Sequence, residues 1–366
     1  MTLRSVRIEQ FRCIEFAEFE LDRHTTLITG PNGSGKTSLL EALFVLGRGR
    51  SFRTARLDTA IRQGQSALRV VGTVENGGHS LTMGIENGAG QTQARIAGES
   101  VESLAELSRR LPIQAIDPSI HKLIEEGPIR RRRFLDWGVF HVEHAFLVQW
   151  QRFHRALRQR NAALRQSADD TELDAWDREF AAAGIEVSES RGRYLAHIRP
   201  SLEAMAQTLL ATDVQVEYSQ GWPQGTDLAS SLVNRRVVDR ARRATTAGPH
   251  RADLQIRIAG RAAKDTVSRG QQKLLASGLI LGQLEFHRNE QNLVPTLLLD
   301  DPAAELDGDR LRRLVEAVAS LRAQIVVTSL QPDFNALGEP GRMFHVEQGR
   351  VTQMYNPGPQ IRGTHG

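Results

Sequence analysis

Hydrophobic and polar positions alternate from the start of the chain. Val6 and Ile8 stand between polar neighbours, a second strand-like segment follows from Phe16 to Leu21, and a third, Thr26 to Thr29, runs into a glycine-rich loop. These predict short strands opening an α/β core. Between Leu68 and Ala97 three β-like segments are divided by Asn76-Gly77 and Asn87-Gly88, dipeptides that supply the positive φ of type I′ turns, so an antiparallel meander is expected there. From about Pro118 to Thr246 the spacing becomes helical. Phe146, Trp150 and Phe153 share a face, and breaks are expected at Pro200 and at Trp222-Pro223. After Gly248 alternation returns in Leu254, Ile256 and Ile258. A helix from about Gly270, an apolar strand Val294 to Leu299, a further helix and a strand Ile325 to Thr328 complete the pattern.

The expected architecture is an α/β lobe split in sequence, residues 1–117 and 247–366, with a mostly helical lobe inserted at 118–246. No internal repeat or low-complexity stretch interrupts it, and the Gly- and Pro-rich tail after Asn356 is expected to be loose. A chain of 366 residues with 40% hydrophobic content is long enough for two such lobes.

Charge changes this picture in one respect. The formal net charge is only +4, yet Lys36, Lys122, Lys264 and Lys273 are the only lysines among 47 Lys+Arg. Such arginine use suits phosphate contacts and equally follows genomic base composition. A lysine kept where chemistry needs a compact ammonium therefore carries extra weight. Cys13 is the single cysteine, which excludes an intramolecular disulfide and points to a reducing compartment, the cytoplasm. No apolar run approaches the roughly 20 residues of a membrane span, and no membrane partner is expected.

GPNGSGKT, Gly30 to Thr37, matches the P-loop pattern and stands where a P-loop must, after an apolar strand and before the helical run from Ser38 to Leu43. Glycines let backbone N–H groups wrap phosphates, the helix N-terminus adds partial positive charge, Lys36 reaches the outer phosphates and Thr37 holds Mg²⁺. Thr296 to Asp301, TLLLDD, is an apolar strand ending in two carboxylates, as a Walker B strand does. Asp300 is assigned to Mg²⁺ and Asp301 to polarising the attacking water. Asp301-Pro302 could instead open the next helix by itself, although the following Glu305-Leu306-Asp307 argues for the catalytic assignment.

Ser268-Arg269-Gly270-Gln271 opens an apolar helix carrying Leu274, Leu281 and Leu284; alone it is a plausible N-cap. Placed just upstream of the Walker B strand, it resembles the signature of ABC-type ATPases, in which the serine and a glycine amide meet the γ-phosphate across a dimer. Arg269 departs from the two-glycine form of transporters, as in the repair branch. GPHRADL (Gly248 to Leu254), IDPSIHKLIEEGPIRRRRFLD (Ile116 to Asp136) and VSRGQQK (Val267 to Lys273) extend the likeness, and the chain resembles the RecF family to about Val351. Ala252 stands where that family usually has an acidic residue, Asp117 occupies the position of the Q-loop glutamine, and Ser329 that of the switch histidine.

The resemblance implies an ABC-type P-loop ATPase, slow in turnover, that closes as a homodimer around ATP and Mg²⁺ and binds duplex and gapped DNA. It implies partnership with RecR and RecO in loading RecA, in DNA repair and replication. The nucleotide-contacting set it implies is Gly30, Pro31, Asn32, Gly33, Ser34, Gly35, Lys36, Thr37 and Ser38, with Ser268, Gly270 and Gln271 from the opposing subunit; Lys36, Asp300, Asp301 and Ser268 are catalytic. Arginines at 130–133, 152, 155, 158, 160, 235, 236, 240, 242 and 243 are candidate phosphate contacts or a solvated helix face. With no major-groove motif, backbone and junction shape would be read rather than bases. The alternative is the ATPase subunit of an ABC transporter, against which the Arg-rich insertion and Ser329 argue. An SMC- or Rad50-like clamp would need far longer arms, a P-loop nuclease an added carboxylate-rich domain, and a GTPase an N-K-x-D motif.

Overall fold

The computed structural model describes residues 1–291, 293, 295–304, 306–331 and 336–354. Val294, Glu305 and the tail after Asn356 lie outside them. The chain divides into two compact units, Met1–Ile120 with His287–Gly366, and His121–Phe286.

The first unit begins with β1 (Thr2–Phe11), β2 (Ile14–Glu20), β3 (Thr25–Thr29) and α1 (Lys36–Arg48). The meander follows as β4 (Ala67–Asn76), β5 (His79–Gly88), β6 (Gln91–Ile96) and β7 (Glu99–Ser100), then α2 (Ala105–Arg110) and β8 (Ile113–Ile116). An antiparallel sheet in the order β2-β1-β4-β5-β6-β7 results. A register shift between Leu3 and Ser5 resets the alternation of β1, so that Leu3, Val6 and Ile8 all reach the core.

The hairpin turns are type I′ but lie one or two residues beyond the expected dipeptides. Gly77-Gly78, Ala89-Gly90 and Ala97-Gly98 have positive φ, while Asn76, Asn87 and Gly88 remain in the strands. Asn87 is retained there because its side chain is buried against Thr92 (2.9 Å).

The second sheet of this unit joins distant parts of the chain: β12 (Thr296–Leu299), β13 (Gln324–Ser329), β14 (Arg342–Glu347) and β15 (Arg350–Met354), with α10 (Gly308–Ser320) between β12 and β13. Its order is β15-β14-β3-β13-β12-β8, parallel except for β15. β3, β8, β12 and β13 are buried along their whole length, which explains why the strands expected at Thr26 to Thr29, Val294 to Leu299 and Ile325 to Thr328 show no alternation; β8 is not among the strands expected from the sequence. Leu39, Leu40, Leu43, Phe44, Val45 and Leu46 of α1 share one core with residues of both sheets, as expected for a helix apolar on all sides.

The second unit contains α3 (Lys122–Glu125), α4 (Pro128–Val142), α5 (Phe146–Arg165), α6 (Asp170–Leu210), β9 (Val214–Ser219), α7 (Leu228–Arg242), β10 (Asp253–Ile258), β11 (Arg261–Ala262), α8 (Ala263–Thr266) and α9 (Arg269–Gln291), whose last turn enters the first unit. Residues 121–246 of the expected insertion at 118–246 fall within it, 118–120 belong to the first unit, and the second unit also takes in 247–286. The reason is β10: instead of joining the main sheet it pairs with β9 and β11 in a sheet of order β11-β10-β9. The strand β9 hides within a region of helical character, since only Val214 and Val216 mark its buried face.

Pro200 does not break its segment. α6 runs 41 residues through it, although proline removes one helix hydrogen bond and clashes with the preceding turn. Packing around the proline holds the helix: Ile198, Leu202, Ala206 and Leu209 are fully buried, and α9 presents Gly278 and Gly282 to its backbone. A Cβ at Gly282 would lie 2.6 Å from the Ser201 carbonyl oxygen, and one at Gly278 2.8 Å from the Ala206 Cα, so only glycine permits this approach.

His154 and His250 carry an expected acid response of this unit. Burial first, and then nearby arginines, push each imidazole down to about 4. Both are neutral in the folded state at pH 7 and would charge near the ordinary value in the unfolded chain. Below about 6.5 the unfolded state therefore binds more protons, and stability is lost as pH falls toward 4. The thermal unfolding midpoint should fall over that window, and replacing both residues by Gln should flatten the fall.

Candidate nucleotide site

Four parallel strands, in the order β3-β13-β12-β8, end side by side. Their C-terminal ends carry Thr29 and the P-loop, Ser329, Asp300 and Asp117 respectively, and ligands of open α/β sheets bind outside such ends. The loop needs its glycines. Gly30 has φ 150° and Gly35 φ 117°, and a Cβ at Gly30 would collide with the Val346 carbonyl oxygen. Gly349 N–H donates to the Ser34 carbonyl at 2.8 Å, tying the loop to the β14–β15 turn.

Lys36 opens α1 and is almost fully buried. Its ammonium donates to the Gly30 carbonyl at 2.7 Å and the Pro31 carbonyl at 3.0 Å. Burial lowers its pKa, while Asp301 and Asp300 oppose that shift. Thr37 Oγ1 donates to Asp300 at 2.9 and 3.1 Å. On the other side Thr328 Oγ1 donates to Asp300 Oδ1 at 2.8 Å and accepts from Asp301 N–H at 2.9 Å. The P-loop threonine and the Walker B aspartate are thus joined directly, and Ser38 is buried in the turn behind them.

Burial raises the Asp300 carboxyl above the ordinary value; the Thr328 and Thr37 hydrogen bonds oppose the shift, and Asp117 and Asp301 reinforce it. The Asp301 carboxyl is also raised by burial and is held down by Lys36. Asp117 itself accepts from Ser119 N–H at 2.7 Å.

A carboxylate with a raised pKa destabilises the folded protein when charged, and the cost disappears as pH falls through its folded value. Asp300→Asn should therefore unfold at a higher temperature than the parent at neutral pH without nucleotide, as read by calorimetry. The same change should lower hydrolysis by about 10²- to 10³-fold, a gain in stability joined to a loss of function.

The residues fit a nucleotide triphosphate with Mg²⁺. Ser34 Oγ is buried with no hydrogen-bond partner, in a glycine loop at a helix N-terminus, where an anion is the natural acceptor of such a hydroxyl. Thr37 and Asp300 supply the hard oxygen ligands that Mg²⁺ takes.

Asp301 does not cap the following helix. That helix, α10, starts at Gly308 and is capped by Asp307, whose side chain accepts from Arg310 N–H at 3.0 Å. Asp301 instead holds a left-handed conformation, φ 43°, uncommon for a residue with a Cβ. Of the Glu305-Leu306-Asp307 stretch, Glu305 lies outside the described residues.

Ser268, Gly270 and Gln271 belong to the second unit, at the N-terminus of α9. Ser268 N–H donates to Gln271 Oε1 at 2.9 Å, and Gln271 N–H reaches Ser268 Oγ at 3.4 Å, a capping box that leaves the hydroxyl exposed. Arg269 lies 3.3 Å from the buried His121 ring.

The arginine clusters separate into two kinds, which sequence could not do because the partners are remote in the chain. Arg131 is bidentate to Asp253 (2.7 and 3.0 Å), and Arg132 donates to the Ala252 carbonyl (2.7 Å), so these two clasp the Gly248–Leu254 motif, while Arg130 pairs with Glu126. Arg152 pairs with Glu179 and Glu186, Arg160 with Asp177 and Asp239, Arg236 with Asp174 and Asp177, and Arg240 with Asp170. Arg160 is fully buried in its pairs and Arg236 largely so, whereas Arg152 and Arg240 remain partly exposed. Arg133, Arg155, Arg158, Arg235, Arg242 and Arg243 have no ion-pair partner among the described residues. Among the described residues no helix is long and apolar enough to cross a membrane.

The model of the RecF/RecN/SMC N-terminal domain matches residues 2–352. The chain is 40% identical over 365 residues to the DNA replication and repair protein RecF of Pseudomonas fluorescens, covering 97% of this chain and 99% of that one. To the protein of the same name from Shewanella sp. strain MR-4 it is 37% identical over 357 residues, covering 96% and 99%. Among solved structures, the recombination mediator protein RecF with ATP, of the RecFOR pathway, superposes with a TM-score of 0.88 at 24% identity over 97% of this chain and 98% of that one. An Smc head bound to the C-winged helix domain of ScpA superposes with a TM-score of 0.60 at 14% identity over 98% of each. These likenesses in structure establish a common fold.

Proposed function

Because the chain belongs to the RecF family, we propose that it is an ATP-dependent DNA-binding protein of recombination repair and replication, closing as a dimer around nucleotide and binding duplex and gapped DNA. The observation that carries this reading is the Thr37–Asp300–Thr328 chain of hydrogen bonds beneath the P-loop. It joins the two elements that every P-loop ATPase uses to hold Mg²⁺.

Gly30 to Gly35 supply backbone N–H donors, Ser34 its unpaired hydroxyl, Lys36 a cation and Thr37 with Asp300 the metal ligands. Asp301, a carboxylate beside Lys36, orients the attacking water. Ser268 Oγ and the backbone around Gly270 and Gln271, exposed or half-buried at the start of α9, face the nucleotide of a second subunit. The bound triphosphate supplies a γ-phosphate that both subunits contact, so it favours the closed state and the diphosphate does not. Of the clustered arginines, Arg133, Arg155, Arg158, Arg235, Arg242 and Arg243, without an ion-pair partner among the described residues, meet DNA phosphates, and RecR and RecO are the partners in loading RecA.

The test is fluorescence anisotropy of a gapped duplex titrated with protein under ATP and under ADP, at two salt concentrations. Tighter binding under ATP that weakens with salt is expected. Binding indifferent to the nucleotide, or none, would overturn the reading.

A further inference from the structure

A cavity of about 610 Å³ in the second unit is lined by α6, β9, β10 and the loop from β9 to α7. It is far in sequence from the P-loop, and none of the residues assigned above to nucleotide or DNA phosphate lines it. We propose that it is a subsite for an unstacked nucleobase of single-stranded DNA at the edge of a gap. This rests on the DNA-binding reading above and adds to it the part of the DNA that this surface takes.

The lining chemistry selects such a ligand. Trp222 and Tyr218 are its aromatic lining residues, and Gln220, Gln224 and Gln255 bring amides: the Gln220 NH2 already donates to the Trp222 and Pro223 carbonyls and the Gln255 oxygen accepts from Arg257, which leaves the Gln224 amide, the Gln220 oxygen and the Gln255 NH2 for a base edge. Unstacked bases are held by aromatic stacking and by hydrogen bonds to their edges. The charges present are one arginine, Arg199, and one carboxylate, Glu217. That balance disfavours a polyphosphate and suits a neutral aromatic group with one phosphate nearby. Arg199 is free for that phosphate: Arg191 and Arg193 on the same helix are committed to Asp136 and Glu143, whereas Arg199 has no ion-pair partner among the described residues. The volume is ample for a base with its sugar.

The tryptophan is held in place before any ligand arrives. Its Nε1 donates to the Thr226 carbonyl at 3.1 Å. The preceding Gly221, φ 94°, accepts from Gly248 N–H at 3.1 Å. A Cβ at Gly221 would collide with the Gly248 carbonyl oxygen, so the close approach requires glycine. The Gly248–Leu254 motif, which no catalytic step uses, thereby acquires a purpose: it braces the Trp222 loop on one side and is clasped by Arg131 and Arg132 on the other. A fixed ring loses little entropy on stacking.

The experiment uses the full chain under ATP and a gapped duplex with 2-aminopurine in the gap, alongside a blunt duplex, a dT oligonucleotide, and dTMP as a free nucleotide. Trp222→Ala and Arg199→Ala should each lower affinity for gapped DNA and the oligonucleotide, Trp222→Ala by about 5- to 150-fold, and leave the blunt duplex unchanged. Trp222→Phe should retain most of the binding. Arg199 and Gln224 are exposed, so Arg199→Ala and Gln224→Ala test the site even if Trp222→Ala folds poorly. If all variants bind gapped DNA and the oligonucleotide as the parent does, the subsite is wrong while the DNA-binding reading stands. Protection of Trp222 by dTMP but not by the oligonucleotide would also overturn it, in favour of a free nucleotide. Failure of the parent to bind any DNA would overturn both.

Discussion

Lys36→Ala is expected to lower ATP hydrolysis by about 10²- to 10³-fold, the cost of losing one preorganised cation from a phosphate site, while the protein stays folded. Lys36 is one of four lysines in a chain that otherwise uses arginine for positive charge, and its surroundings explain the exception. The ammonium is nearly enclosed and bonded to two loop carbonyls, Gly30 and Pro31, a cradle for a compact charge with three donors. A planar guanidinium is larger and presents its donors in a fixed fork. Lys36→Arg should therefore fail to restore turnover even though it restores the charge. A binding measurement separates this from unfolding. A ligand at 100 times its Kd stabilises the folded state by about 2.7 kcal/mol, so ATP with Mg²⁺ should raise the parent's unfolding temperature. The shift should be much smaller in the variant, while the nucleotide-free unfolding temperatures stay close. An unchanged shift in Lys36→Ala would remove Lys36 from the phosphate site.

The glycine loop and the buried strand ending in Asp300 and Asp301 are legible because they are local: eight neighbouring residues, Gly30 to Thr37, and six, Thr296 to Asp301, carry the whole pattern. The elements that were not legible depend on partners far away in the chain. Pro200 reads as a break, and only Gly278 and Gly282, some 80 residues on, explain why α6 continues through it. The assignment of 247–286 to the second unit turns on β10 pairing with β9, a strand with two buried valines inside a helical region. Asp301 reads from sequence either as a helix cap or as a catalytic group, and Asp307 at the cap removes the first reading. The meander shows a milder version of the same limit. Its Asn-Gly dipeptides marked the hairpins, but cross-strand register moved the turns onward to Gly77-Gly78 and Ala89-Gly90.

Arginine is where local reading failed most, and the failure defines the second large effect. Arg160→Ala should destabilise the second unit by about 3–5 kcal/mol, the usual cost of removing one partner from a buried ion pair. Arg160 has no exposed surface. It donates to Asp177 at 2.6 Å, and to Asp239 at 2.7 Å and Thr245 at 2.9 Å. Asp239 has no exposed surface either, and its other oxygen accepts from the Thr246 N–H and hydroxyl. Removing the guanidinium leaves two buried carboxylates facing an empty volume, so the loss exceeds that of a single hydrogen bond. The damage would spread through Asp177 to Arg236, and from there to Asp174 and Asp170. Asp239→Ala alone should cost a similar amount, and the double variant less than the sum of the two, because the second change removes a charge the first left unpaired. Chemical denaturation of the three variants measures this coupling. Additive losses would mean that the pair is not a unit.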